Sequence, residues 1–135
     1  MKQINRVAVL VAVVLHQVLG FVWYGVFFGK PWLAGLGKTP ADMDPSAPLP
    51  YILDVVGWIL ASLLMAWLVV RLDIRTAGGG AILGVVLWLG LMLPALLPHY
   101  AFIGLKPIVM AIDSADLLVA SLLTGAILGA WRTKS

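Results

Sequence analysis

Apolar residues run through the chain in four long blocks, 7–28, 51–72, 77–97 and 108–131, with few charges inside any of them. Each block can cross a hydrocarbon core, which takes about 20 helical residues. Strict alternation of apolar and polar positions is missing, and backbone inside a bilayer must bond to itself. The pattern therefore predicts helices rather than barrel strands. The connection around Arg71-Leu72-Asp73-Ile74-Arg75 is short, which makes sequential helices antiparallel neighbours. The expected fold is all-α: a polytopic membrane protein with four transmembrane helices in one antiparallel bundle, a single domain over residues 1–135 with an outer loop at 29–50.

Pro31, Pro40, Pro45, Pro48 and Pro50 argue against a continuous helix in that loop. Within it, Thr39-Pro40-Ala41-Asp42 supplies an N-cap, a proline at the first helical position and an acid in the first turn, so a short helical turn is expected there. Gly78-Gly79-Gly80 loosens the start of the third helix.

Composition turns the pattern into a class. Of the 135 residues 62% are hydrophobic and 11% charged, and the mean hydropathy is +1.05, far from a soluble globular domain. Lys2 and Arg6 ahead of the first block resemble a secretory signal. The run exceeds the roughly 7 to 15 residues of a signal core and ends in Trp23-Tyr24-Gly25-Val26-Phe27-Phe28, so it is expected to stay as the first helix. Lys2, Arg6, Arg71, Arg75, Arg132 and Lys134 fall on one side, and Lys30, Lys38 and Lys106 on the other. That bias places both termini in the cytoplasm. No basic cluster interleaves with aromatics, so no nucleic acid is expected as a partner. Absence of cysteine excludes disulfides and thiolate chemistry.

Two local patterns recur. Asp54 precedes Ser62-Leu63-Leu64 as Asp113 precedes Ser121-Leu122-Leu123, and Tyr24 to Pro31 resembles Tyr100 to Pro107 in its aromatics, glycine, lysine and proline. Together they suggest two helical hairpins related as parallel repeats. The competing explanation is that aromatic belts and Gly, Lys and Pro end many membrane helices.

The candidate chemistry is carboxylate and imidazole. A charged carboxylate costs about 2.5 to 3.5 kcal/mol at the centre of a bilayer, so it faces protein or water. Helical spacing puts Asp113, Asp116, Ala120 and Thr124 on one face, matched by Asp54, Gly57, Ala61 and Met65 on helix two. Asp54, Asp113 and Asp116, with His99, can line an outward vestibule for a proton, cation or amine. Alternatively, Asp54 and Asp113 only cap their helices. Asp116, about two turns deep, is the stronger functional candidate. His16 shares a face with Asn5, Ala12, Gly20, Trp23 and Phe27, and is expected to pair in a polar core with Ser62, Ser121 or Thr124. A relay from His16 to Asp116 is the sharper alternative, because histidine changes charge near neutral pH.

His99, beside Tyr100 and after Pro94 and Pro98, reads as an interfacial histidine. No metal-ligand motif is present, and no metal or cofactor is expected. Gly25 with Gly29, Gly80 with Gly84, and Ser121 with Gly125 and Gly129 have the spacing that lets membrane helices approach closely. Trp23, Tyr24, Trp32 and Tyr100 are expected as interface aromatics. Catalytic motifs are lacking, so nothing identifies an enzyme.

The run Gly20-x-x-Trp23-Tyr24, followed by Phe28-Gly29-Lys30-x-Trp32, resembles the bacterial membrane family catalogued as domain of unknown function 1761. Asn5, Gly78 to Gly84, His99-Tyr100-x-Phe102 with Lys106-Pro107, and Gly125-Ala126-Ile127-Leu128-Gly129-x-Trp131 extend the likeness over nearly the whole chain. The resemblance implies a four-helix protein of the bacterial cytoplasmic (inner) membrane and supplies no activity. Scant extramembrane mass and several small-residue faces make assembly the leading expectation. The protein would then be a homo-oligomer or an accessory subunit, with membrane lipids and other membrane-protein subunits as partners. The alternative is transport of a proton, cation or small solute through the acidic vestibule. A third reading is lipid or hydrophobic-ligand binding at Trp23, Tyr24, Phe27 and Tyr100.

Overall fold

A computed structural model describes residues 3–132; Lys2 and Lys134, used above to orient the chain, lie outside them. Four helices are long and apolar enough to cross a membrane: Arg6–Phe27, Pro48–Arg71, Ala77–Phe102 and Pro107–Ala130. They pack together, and no strand occurs among the described residues. The elements are α1 (Arg6–Val22), α2 (Gly29–Gly35), α3 (Pro48–Arg71), α4 (Ala77–Leu87), α5 (Leu93–Phe102) and α6 (Pro107–Ala130). We call the end carrying the long connection between α1 and α3 the loop end. The opposite end, where α1 starts and α6 stops, is the terminal end.

Local chemistry explains the starts. Asn5 accepts the Ala8 N–H at 3.1 Å and donates its own amide to the Trp131 carbonyl at 2.8 Å, so one side chain caps α1 and ties it to the end of α6. Thr76 caps α4 by accepting from the Gly79 N–H at 3.0 Å. Helices α3 and α6 open on Pro48 and Pro107, where a missing N–H removes no intrahelical bond. Arg132 closes the terminal end by donating to the carbonyls of Val69 at 3.2 Å and Ile74 at 2.5 Å.

Three expectations change. The proline-rich loop contains a second short helix, α2, because Pro31 lies in its first turn, where backbone donors have no helical acceptor. The third span runs on to Phe102, through Pro94 and Pro98. It does so through a π-helical turn at Trp88–Met92, with the Leu93 N–H bonded to the Trp88 carbonyl just ahead of Pro94. A matching π turn at Trp23–Phe27 ends the first span, with the Phe28 N–H bonded to the Trp23 carbonyl at 2.7 Å. Third, Asp54 and Asp113 cap nothing. The N-cap positions are Ala47 and Lys106, and both aspartates lie beyond the first turn. The short turn at Pro40–Asp42 is present, with Asp42 accepting the Thr39 N–H at 2.8 Å.

Helix α6 is the hub, with α1, α3 and α4 all packed on it. Its contact with α4 is the most extensive and is backbone on backbone. A Cβ added at Gly80 would fall on the Gly125 carbonyl, one at Gly84 on the Ser121 carbonyl, one at Gly125 on the Gly80 carbonyl and one at Gly129 on the Thr76 carbonyl. These four glycines are thus used inside the monomer. Gly25 and Gly29 share their spacing but not their setting: a Cβ at Gly25 would meet only the Phe21 ring, and one at Gly29 the Tyr24 carbonyl. Likewise, Gly29-Lys30-Pro31 opens α2 whereas Gly104 to Pro107 forms a turn, with φ +78° at Gly104, into α6. Ala8, Val9, Val13, Met65, Ala66, Val69 and Leu128 form the core toward the terminal end. Exposed Leu10, Val14, Leu60, Leu64, Ile82 and Leu89 give the outside an apolar surface suited to lipid.

Candidate functional site

At the loop end the helices part around a cavity of about 620 Å³. His16, Asp54 and Asp116 lie deepest along their spans, Phe21, Tyr24, Trp32 and Tyr51 contribute aromatic rings, and Asp44 and Pro45 come from the loop. The cavity exists because α1, α3 and α6 meet there through large side chains, not through the small residues that close α4 on α6.

His16, on α1, is held directly by two residues of α3 and through one of them by α6. Its Nε2 lies 3.1 Å from Asp54 Oδ1. A carboxylate only accepts, so Nε2 is the donor in this contact. The ring stacks on Trp58, with centroids 4.1 Å apart and planes inclined by 11°. The Trp58 indole N–H in turn donates to Thr124 Oγ1 at 3.2 Å. The expected polar core therefore has different partners. His16 pairs with Asp54 and reaches Thr124 only through Trp58. Ser121 donates to the Leu117 carbonyl at 2.6 Å and contacts Met92 Sδ at 3.2 Å, and the buried Ser62 hydroxyl has no partner among the described residues.

Asp116 is 7% exposed, and its Oδ1 has no hydrogen-bond partner among the described residues. His16 Nδ1, Gln17 Nε2 and Trp32 Nε1 are also buried and unpartnered, and all four residues line the cavity. Buried polar atoms normally find partners. A carboxylate oxygen, an imidazole nitrogen and two N–H donors without partners, on residues that line one space, describe a site suited to something polar. Its lining includes the carboxyl groups of Asp44, Asp54 and Asp116 but no lysine or arginine. Asp44 accepts from the Ser46 hydroxyl at 2.5 Å and the Ser46 N–H at 2.9 Å, and these bonds hold its carboxyl below the usual range. The loop side of the cavity therefore keeps a negative charge.

Asp113 stands apart. Its two oxygens accept from the hydroxyls of Tyr24 at 2.5 Å and Tyr100 at 2.8 Å. One residue of α6 thereby clamps the first and third spans. The tryptophans that open the two π turns reinforce the clamp: Trp23 donates to the Ile112 carbonyl at 3.1 Å and Trp88 to the Ser114 carbonyl at 2.8 Å. Thus Trp23, Tyr24 and Tyr100 hydrogen-bond within the bundle. His99 is exposed near the end of α5, away from the cavity lining. The structure joins Asp54 and Asp116 with His16 and leaves Asp113 and His99 out. Gln17, Trp58 and the inward Trp32 N–H were missed by sequence reasoning. Trp58 carried a signal, since it lies one helical turn after Asp54.

The fold and cavity define a four-helix bundle of membrane type with an acidic, aromatic-lined pocket at one end. Residues 7–129 match the family described as proteins of unknown function, DUF1761, and the chain belongs to that family. No curated protein and no solved structure matches it.

Proposed function

We propose that this protein binds a small organic cation, an amine-bearing solute, in the loop-end cavity. The observation that carries the reading is the buried, unpartnered carboxylate oxygen of Asp116 on a pocket with aromatic walls and neither lysine nor arginine in its lining. An ammonium group donates several hydrogen bonds and supplies the donor that Asp116 Oδ1 lacks. It also draws cation–π attraction from Phe21, Tyr24, Trp32 or Tyr51. The orphaned N–H groups of Gln17 and Trp32 suit an acceptor oxygen on the same solute. The volume lies within the range of small-molecule sites, about 300 to 1,000 Å³. Ala12, Met65, Ala120 and Thr124 are buried just beyond, toward the terminal end, so this geometry favours a binding site over an open channel.

The test is calorimetric titration of the full chain in lipid nanodiscs with 2-phenylethylammonium, 2-amino-1-phenylethanol and the neutral 2-phenylethanol. Both amines should bind and the alcohol should not. A hydrogen bond to a charged group contributes about 1.5 to 3 kcal/mol, so Asp116→Asn should weaken amine binding roughly ten- to a hundredfold. Its unfolding transition should remain close to that of the parent. Equal binding of the alcohol, or unchanged amine affinity in Asp116→Asn, overturns the reading.

A further inference from the structure

The terminal end carries a second, independent cavity of about 720 Å³ between α1 and α3. Arg6 and Arg71 lie on its lining, with Ile4, Leu63, Trp67 and Val70 supplying apolar surface. The other arginines at this end are engaged. Arg75 pairs with Asp73 at 2.9 Å, and Arg132 donates to the Val69 and Ile74 carbonyls. Arg6 and Arg71 have no acidic partner among the described residues, so two guanidinium groups from two helices face one groove without a counter-ion.

We infer that this groove seats a phospholipid with an anionic headgroup. Guanidinium groups bind phosphate oxygens in a planar fork, and basic pockets between transmembrane helices hold anionic lipid headgroups. The depth of the groove selects a lipid over a soluble anion. From Arg71 to Leu63 the lining climbs eight residues along α3, about 12 Å at helical rise. The phosphate sits at Arg6 and Arg71, and an acyl chain lies along Trp67 and Leu63. Trp67 is 52% exposed on that path.

Native mass spectrometry of the full chain, titrated with phosphatidylglycerol or phosphatidylcholine, tests the headgroup. Phosphatidylglycerol should be retained preferentially. The double variant Arg6→Gln with Arg71→Gln should lower that retention roughly tenfold, whereas Arg75→Gln should leave it unchanged. A second measurement needs no arginine variant. Phosphatidylglycerol brominated in its acyl chains should quench tryptophan fluorescence, and Trp67→Phe should remove a share of that quenching. Equal retention of the two lipids, or an equal loss in Arg75→Gln, overturns the inference. So does quenching that Trp67→Phe leaves intact. Inorganic phosphate displacing the lipid at matched concentration would make this a soluble-anion site and overturn it too.

Discussion

The seam between α4 and α6 and the junction of α1, α3 and α6 solve the same problem in opposite ways. At the seam Gly80 and Gly84 bring backbone against the Ser121 and Gly125 carbonyls, and no side chain intervenes. At the junction, stacked His16 and Trp58 and the rings of Phe21, Tyr24, Trp32 and Tyr51 hold the helices apart around open space. Inside lipid there is little hydrophobic drive between helices, so close packing and hydrogen bonds do the holding. The seam uses the first and the junction the second. One helix supplies both: α6 turns Gly125 and Gly129 toward α4, and Asp116 and Thr124 toward α1 and α3. Rigidity and binding capacity are thereby separated on two faces of a single element.

The largest effect is expected at the seam. Gly125→Leu or Gly80→Leu forces a side chain onto a carbonyl of the facing helix, and overpacking costs about 1 to 3 kcal/mol or more. Because backbone, not a flexible side chain, must give way, the upper end applies. Gly57→Ala is the matched control, since nothing lies within 4 Å of its added Cβ; its change should stay within about 1 kcal/mol, that of glycine against alanine in a helix. Unfolding by denaturing detergent, followed by circular dichroism, ranks the three. If Gly125→Leu unfolds no more readily than Gly57→Ala, the seam is not the source of rigidity and the contrast fails.

The contrast also marks what was readable in the residues. Four apolar blocks became four spans because length and composition alone decide whether a helix can cross a hydrocarbon core. The Gly80, Gly84, Gly125 and Gly129 spacing pointed to a close approach. The same spacing at Gly25 and Gly29 did not produce one, because spacing says nothing of what stands opposite. The capping role for Asp54 failed because Pro48 and Pro50 looked like loop residues, although prolines suit a first helical turn. Asp116 was legible as a deep acid on a polar stripe. The partner of His16 was not, because these helices are apolar nearly all round and their periodicity does not encode how one is rotated against another. The π turns left no pattern to read either, as they rest on tertiary bonds from Trp23 and Trp88 to α6.

A middle-sized effect should appear at the tyrosine clamp, and it sharpens the boundary between holding and binding. Tyr24→Phe or Tyr100→Phe removes one hydroxyl from Asp113, a charge-assisted bond contributing about 1.5 to 3 kcal/mol. The double variant leaves the carboxylate with neither donor and should cost more than the sum of the two, as residues sharing one partner are not additive. Tyr100 is outside the cavity lining and Tyr24 is within it. Tyr100→Phe should therefore lower stability while amine affinity in nanodiscs stays unchanged. A binding loss in Tyr100→Phe as large as in Asp116→Asn would merge clamp and site into one network.

The smallest effect belongs to the loop that borders the cavity, and it tests whether that loop is independent of the seam. Backbone and side-chain hydrogen bonds from Thr39 hold the Asp42 carboxyl below its usual value, and those from Ser46 do the same for Asp44. A carboxyl lowered on folding stabilises the folded loop fully above its unfolded value, and that contribution is lost as the pH falls through the folded one. Acidification below the ordinary 3.8 should thus release both turns, with protection of the Thr39 and Ser46 amides falling once exchange rates are corrected for pH. Both groups are fully exposed, so water and salt screen the effect and the α4–α6 amides should keep their protection over the same range. Asp42→Asn should remove the pH dependence at Thr39 and leave it at Ser46. If the seam amides lose protection in step with the loop, the two regions open together, and the division of labour between them is wrong.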